Sequence, residues 1–124
     1  AYNMKSGDKS WWAPNAGMLK VTSRDPLFAG VTLPPQGGRG QAQVITTKTL
    51  LIYGTGRSGG APGEAPKLYA LDKTTGKQVG AVEIASKTTA VPMTFLHKGR
   101  QYIVFASGAE NETQLTALAL PVKK

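Results

Sequence analysis

Ala70-Leu-Asp-Lys-Thr-Thr-Gly-Lys-Gln-Val-Gly80 is the stretch that decides the fold. It reads as the end of one strand, a tight turn and the start of the next. Leu68 and Tyr69 lead into it as strand formers. Asp72 is placed to bond the backbone of its own turn, and Gly76 supplies the positive φ that such a turn requires. The chain opens on the same pattern, Ala1-Tyr-Asn-Met-Lys-Ser-Gly-Asp-Lys-Ser-Trp11. Ala1, Asn3 and Gly7 answer Ala70, Asp72 and Gly76 at identical spacing. The first copy ends on Trp11; the second has Gly80 at that place. One hairpin of this kind is common. Two in register make an internal repeat, the sign of an architecture built from one recurring unit.

Outward from the repeat, the chain predicts an all-β protein. Residues 1–12 form the outer hairpin of one unit, and residues 13–41 a long loop with Pro14, Pro26, Pro34, Pro35 and a Gly37–Gly40 run. A short helical turn fits near Asp25 to Ala29. Residues 42–84 form a full four-stranded unit: strands at 42–47 and 49–54, a loop at 55–66, then strands at 67–72 and 77–84. Their β-branched and aromatic content, Val44, Ile45 and Leu50 to Tyr53 among them, supports this. Residues 85–124 restart the cycle with strands at 91–96, 101–106 and 114–120, a tight turn at 97–100 and a loop at 108–113. Pro121 ends the last strand. No segment keeps a 3.6-residue apolar period, so helix is scarce. In such a meander alternate connections lie on opposite faces. The short turns at Lys48, 72–77 and 97–100 share one face; the connections 13–41, 55–66, 85–90 and 108–113 share the other. Function is expected on the face with the long loops.

Composition agrees. Fifteen Gly and eight Pro in 124 residues argue for many turns and against a helical bundle. No run of apolar residues is long enough to span a membrane as a helix. No basic n-region followed by an apolar stretch is present, so no signal peptide is read in this sequence. Zero Cys excludes disulfides and thiolate metal sites. The net charge of +8 is spread over single Lys and Arg residues, mostly in turns. That predicts a solvated surface and no nucleic-acid partner.

Few residues carry chemistry. His97 is alone in a His-Lys-Gly-Arg turn, so no zinc constellation can form. Asp8 and Asp72 belong to turns. Glu110-Asn-Glu112 supplies too few ligands for calcium. Gly54-Thr-Gly-Arg-Ser-Gly-Gly60 lacks the helix that a phosphate loop needs, since Pro62 and Pro66 and then a strand follow it. Ser58 has no histidine partner close in sequence. Tyr53, Tyr69, Phe95, Tyr102 and Phe105 sit at strand positions and read as core. No catalytic, cofactor-binding or metal-ligating residue is assigned.

The repeat resembles the tryptophan-docking motif of quinoprotein β-propellers, A-x-D-x-x-x-G-x-x-x-W, with Ala1, Asn3, Gly7 and Trp11 in one copy and Ala70, Asp72 and Gly76 in the other. In that family the motif joins the third and fourth strands of a blade, and its tryptophan packs on the neighbouring blade. The runs Lys67–Gly76, Val91–Phe95, Gly99–Gly108 and Leu115–Pro121, with Thr46–Leu51, are similar to the last blades of dehydrogenases that use pyrroloquinoline quinone (PQQ). The membrane-bound glucose and polyol dehydrogenases are the nearest branch.

The resemblance implies about two and a half antiparallel four-stranded blades of an eight-bladed propeller, an incomplete ring with long loops on one face. It implies PQQ and calcium for the whole enzyme and none for this chain alone, which by itself is inactive. The whole enzyme would be a periplasmic oxidoreductase acting on CH–OH groups, passing electrons to a membrane quinone or a cytochrome. Its base and calcium ligands lie on earlier blades. In sugar-oxidising relatives the last inner loop reads Gly-Gly-His-Gly; here Ser107-Gly108-Ala109-Glu110 stands there as the substrate-facing loop, without the histidine. Unpaired sheet edges then call for a partner: the remaining blades, a second chain, or self-association. The alternative is a non-catalytic propeller scaffold or binding module.

Overall fold

The computed structural model describes residues 1–14, 26–31, 42–56, 63–109 and 112–121. Four antiparallel strands form the first sheet: β1 (Val44–Thr46), β2 (Leu50–Gly54), β3 (Lys67–Asp72) and β4 (Gln78–Glu83), paired in chain order. Three more form the second: β5 (Met93–His97), β6 (Arg100–Ala109) and β7 (Glu112–Ala119), again in chain order. The only helix among the described residues is a 3₁₀ turn at Pro26–Phe28, where the sequence predicts one. These are propeller blades in their strand order, the first with four strands and the second three strands wide among the described residues. Before them stands the hairpin of residues 1–12, closed by the Tyr2–Lys9 bridge and by Asn3 N–H donating to the Asp8 carbonyl at 2.8 Å.

Strand character follows from cover. β2 and β3 are apolar on both faces because both faces are packed, whereas the edge strand β4 is exposed along its length. Period-2 alternation sorts the side chains. Ile52 and Leu68 point to the second sheet, where they form one core with Ile84 and Phe105, flanked by Ile45, Leu50, Ala70, Ile103 and Leu118. Tyr53 and Leu71 point the other way and pack with Trp11, Ala13, Ala42, Leu51 and Tyr69. Thus the first sheet is sandwiched between the N-terminal hairpin and the second sheet. Phe105, only 1% exposed, is the most buried large side chain in the seam. The Tyr53 and Tyr69 rings stack at 5.2 Å on the hairpin side.

The largest difference of boundary from the sequence reading lies at the β6–β7 hairpin, the other strand ends shifting by one or two residues. The predicted loop at 108–113 is mostly strand: β6 continues to Ala109 and pairs with β7 down to Ala109↔Glu112. Gly, Ala, Asn and acids read locally as loop, but Gly108 has no Cβ, and a Cβ there would strike the Glu112 backbone. The missing side chain lets the two strands approach to the end of the hairpin.

Candidate functional site

The short turns gather at one end of the sheets. The Lys73 N–H donates to the Thr49 carbonyl at 2.9 Å, so the β1–β2 and β3–β4 turns touch. At the opposite end Thr88 bridges Gly56, just beyond β2, and Ser107, near the end of β6. The starts of β2 and β6 therefore lie together at the turn end, and the β5–β6 turn joins the others there. Connection 85–90 and the described ends of connections 13–41 and 55–66 lie at the opposite, loop end.

Each docking-motif residue has a mechanical task at the turn end. The Ala1 amino group donates to the Trp11 carbonyl at 2.8 Å, pinning the chain start to the hairpin's second strand. Asn3 Oδ1 accepts the Lys5 N–H at 2.9 Å, and Gly7, at φ 78°, donates to the Asn3 carbonyl at 2.8 Å. Asp72 repeats this turn more fully. Its Oδ1 accepts the N–H groups of Thr74 at 3.0 Å and Thr75 at 2.8 Å, and the Thr75 hydroxyl at 2.9 Å. Gly76, at φ 73°, donates to the Asp72 carbonyl at 2.8 Å. Trp11 then lays its ring against Gly76 so closely that a Cβ there would overlap it, and its Nε1–H donates to the Lys73 carbonyl at 3.1 Å. Ala70 packs at the seam. The tryptophan of one repeat is docked on the glycine of the next.

The Thr75 backbone N–H, then the Thr75 hydroxyl, and last the Thr74 N–H hold the Asp72 carboxyl below its usual value of 3.8, against a smaller opposing effect of burial. A depressed carboxylate stabilises the fold above its unfolded pKa, and that contribution disappears as pH falls through the folded value. We expect the β3–β4 turn to loosen as pH drops below 3.8, with the Thr74 and Thr75 amide resonances moving with the Asp72 carboxyl. Asp72→Asn, which keeps an acceptor but no charge, should flatten that dependence. An unchanged profile in the variant would remove Asp72 as its source.

The loop end carries a buried polar seam between the sheets. Thr55, Thr88 and Ser107 are all buried. The Thr88 N–H and hydroxyl donate to the Thr55 carbonyl at 2.9 and 3.3 Å. The Thr55 hydroxyl is paired with the Lys67 backbone, and the Ser107 hydroxyl lies 3.1 Å from that of Thr116. Gly54 makes room for Thr88, since a Cβ at Gly54 would overlap the Thr88 side chain.

Ser107, Gly108 and Ala109 thus lie within β6, not on a loop, and Glu110 lies outside the described residues. Ser107 faces the seam and Gly108 donates to the Lys87 carbonyl at 3.1 Å, so both are engaged within the protein. The Glu110–Glu112 pair and the Gly54–Gly60 loop, with Ser58, likewise fall partly outside the described residues. Sequence reasoning missed Thr88, an unremarkable residue in a connection, and Gln43. Gln43 stands just before β1 at the loop end, and its Oε1 is buried without a hydrogen-bond partner among the described residues.

The described residues do not by themselves fit PQQ or calcium. The buried hydroxyls of the seam are already engaged by backbone groups and by Thr116, and no cluster of three metal-ligating side chains occurs among the described residues. What the geometry can do is fasten blade to blade.

No curated protein and no solved structure matches the chain significantly. A family model does: the PQQ β-propeller domain of glucose, ethanol and alcohol dehydrogenases matches residues 1–103. That span holds both docking repeats, the complete blade and the first two strands of the next up to Ile103. The motif, the tryptophan docked on Gly76, the two blades and this match agree, and the chain belongs to the PQQ-dependent dehydrogenase β-propeller family.

Proposed function

We propose that this chain is the C-terminal sector of a quinoprotein dehydrogenase that oxidises sugars, polyols or alcohols, with the base and the calcium ligands on blades outside it. In the whole enzyme bound PQQ would accept the hydride from the alcohol carbon, and a membrane quinone or cytochrome in the periplasm would take the electrons. Within this reading the present residues build and brace blades beside the cofactor.

The observation that carries the reading is the pair of unfinished surfaces on the second blade. Its outer face exposes Met93 (55%), Phe95 (41%) and Leu115 (76%), an apolar set that a following blade would bury. Beside β7, a groove of about 400 Å³ opens between the blades, lined mainly by apolar groups of Leu68, Ala70, Val82, Ile103, Leu118 and Leu120. β4 overhangs this groove because the second blade has no fourth strand opposite it among the described residues.

Two further residues agree that this strand does not follow β7 through the repeated turn. In the β3–β4 turn the Asp72 N–H donates to the Lys77 carbonyl at 2.8 Å. The residue at the matching place after β7, two beyond Ala119, is Pro121, which has no N–H to give. Gly80 stands where the repeat would put a tryptophan to dock on such a turn. A strand from the remaining blades is therefore the proposed partner of the β7 edge.

A titration with PQQ plus calcium tests the proposal. The chain alone should show no saturable binding, and binding should appear when the polypeptide carrying the remaining blades is added. Saturable binding by the chain alone would overturn the placement of the site. No binding in the mixture would favour the scaffold reading, to which the self-satisfied seam also points.

A further inference from the structure

The groove between the blades lies where the repeat would place a ring. Directly paired residues share a face of a sheet, so Val82 and Gly80, opposite Leu68 and Ala70, turn toward the second sheet as the buried Leu68 does. Nothing stands within 4 Å of a Cβ at Gly80. Gly80 and Ala70 thus leave bare backbone on one wall of the cavity of about 400 Å³, with Ile103, Leu118 and Leu120 on the other. At the first interface the same place in the repeat is Trp11, whose ring covers the bare backbone of Gly76. At the second interface neither half of that contact is in place. Gly80 brings no ring, and Pro121 stands where Asp72 stands in the turn that would receive one.

The adjoining edge of β7 offers backbone. The Ala106 carbonyl accepts the Thr89 N–H, and the Gly108 N–H donates to the Lys87 carbonyl. In β6 it is therefore the alternate residues Ile103, Phe105 and Ser107 that bond to β7, through Leu118, Thr116 and Gln114. The N–H and C=O groups of Leu115, Ala117 and Ala119 point the other way, toward the open side of the groove. In the first blade the corresponding place beside β3 is filled by β4, antiparallel. A strand laid there meets the outward backbone groups, and every second side chain of it enters the groove. A small side chain over Gly80 would leave most of the volume unfilled. An aromatic ring is the side chain that lies flat on bare peptide, as Trp11 does on Gly76. A second copy of this chain does not bring one. Among the described edge strands β1, β4 and β7 carry no aromatic residue, and Phe95 of β5 is stacked on Tyr102 at 5.2 Å.

We propose that the groove receives an extended strand, antiparallel to β7, that carries a large aromatic side chain seated over Gly80. The strand supplies the backbone partners of Leu115, Ala117 and Ala119. Its ring restores, from the opposite side, the contact that the repeat omits at this interface. This inference rests on the reading of the chain as a propeller sector and adds what its partner strand must carry.

Titration of the isotope-labelled full chain, verified as monomeric, with two synthetic peptides tests it. Both are seven residues of alternating threonine and valine with threonine at the ends; one has tryptophan at its centre and the other alanine. The tryptophan peptide should bind about tenfold tighter or more. It should move the Gly80 and Leu118 amide resonances and slow exchange of the Leu115 and Ala117 amides. Gly80→Val leaves the chain folded, since nothing crowds the added Cβ. That variant should hold the tryptophan peptide no more tightly than the alanine one. Equal affinity of the two peptides for the parent chain would overturn the aromatic requirement and leave the strand reading standing. A tryptophan advantage that survives Gly80→Val would overturn the placement of the ring, and the proposal with it. If neither peptide slows exchange along β7, the strand partner itself is lost, together with this inference.

Discussion

Phe105→Ala is expected to destabilise the chain by about 3–5 kcal/mol, enough to unfold much of it at ordinary temperature. The ring is 1% exposed and contributes the one aromatic ring of the seam that Ile52, Leu68 and Ile84 complete. Truncation removes the ring's transfer energy and leaves a void between two sheets that share no long strand pairing. Apart from this core, their contact among the described residues rests on the 85–90 connection: the bridges through Thr88, the Thr89 N–H to the Ala106 carbonyl and the Gly108 N–H to the Lys87 carbonyl. Relaxation by sliding is blocked there, because the Thr88 side chain is seated over Gly54. Phe105→Leu should cost much less, since it refills most of the volume. Urea denaturation by circular dichroism measures both. A loss of under about 1 kcal/mol for the alanine variant would mean that the blades do not rely on this seam.

Gly76→Val should be the second large loss, about 3 kcal/mol or more. Two costs coincide at one position. A β-branched residue is strained at φ 73°, and its Cβ would overlap the Trp11 ring. The ring has no easy retreat, as its Nε1–H is held by the Lys73 carbonyl. The N-terminal hairpin should therefore come away from the first blade, with a red shift and greater quenching of Trp11 fluorescence in a Trp12→Phe background. Gly99→Val is the control: its φ of 75° carries the same backbone strain for the same side chain, but nothing stands within 4 Å of the added Cβ. Equal losses for the two variants would show that the turn, and not the docked tryptophan, sets the effect.

Much of this was legible in the sequence because the docking repeat is a local device. Asp72 bonds residues two and three places ahead, and Gly76 needs its positive φ whatever lies nearby. Such features depend on chain neighbours and survive in a single sequence. Trp11 on Gly76 is long-range, but the repeat itself announces it, since one unit must dock on the next. The seam was less legible. Thr88 carries no local signal; its place is defined by the absence of a side chain at Gly54, far away in sequence. Gly108 reads in the sequence as a loop residue that ends the β6–β7 hairpin early, whereas its bareness serves close strand approach. Gln43 is marked only by lacking a partner, which no sequence displays. The candidate site faded for the same reason. The resemblance puts Ser107 on a substrate-facing loop, yet its hydroxyl is spent on Thr116 across the hairpin.

Charge placement also escaped composition. Counting +8 hides the fact that alternate connections share an end, so that among the described residues Lys5, Lys48, Lys73, Lys77 and Lys98, far apart in sequence, stand in or beside turns at one end.

Backbone amide exchange along β7 tests the central claim, that this is an open propeller sector awaiting a strand at its second blade. In the chain alone, the amides of β7 that point away from β6 should exchange quickly, while those of β2 and β3 are protected. Adding the polypeptide that carries the remaining blades should protect those β7 amides and leave β2 and β3 unchanged. Slow exchange of the outward β7 amides in a verified monomer of this chain alone, or no gain of protection on mixing, would contradict the account.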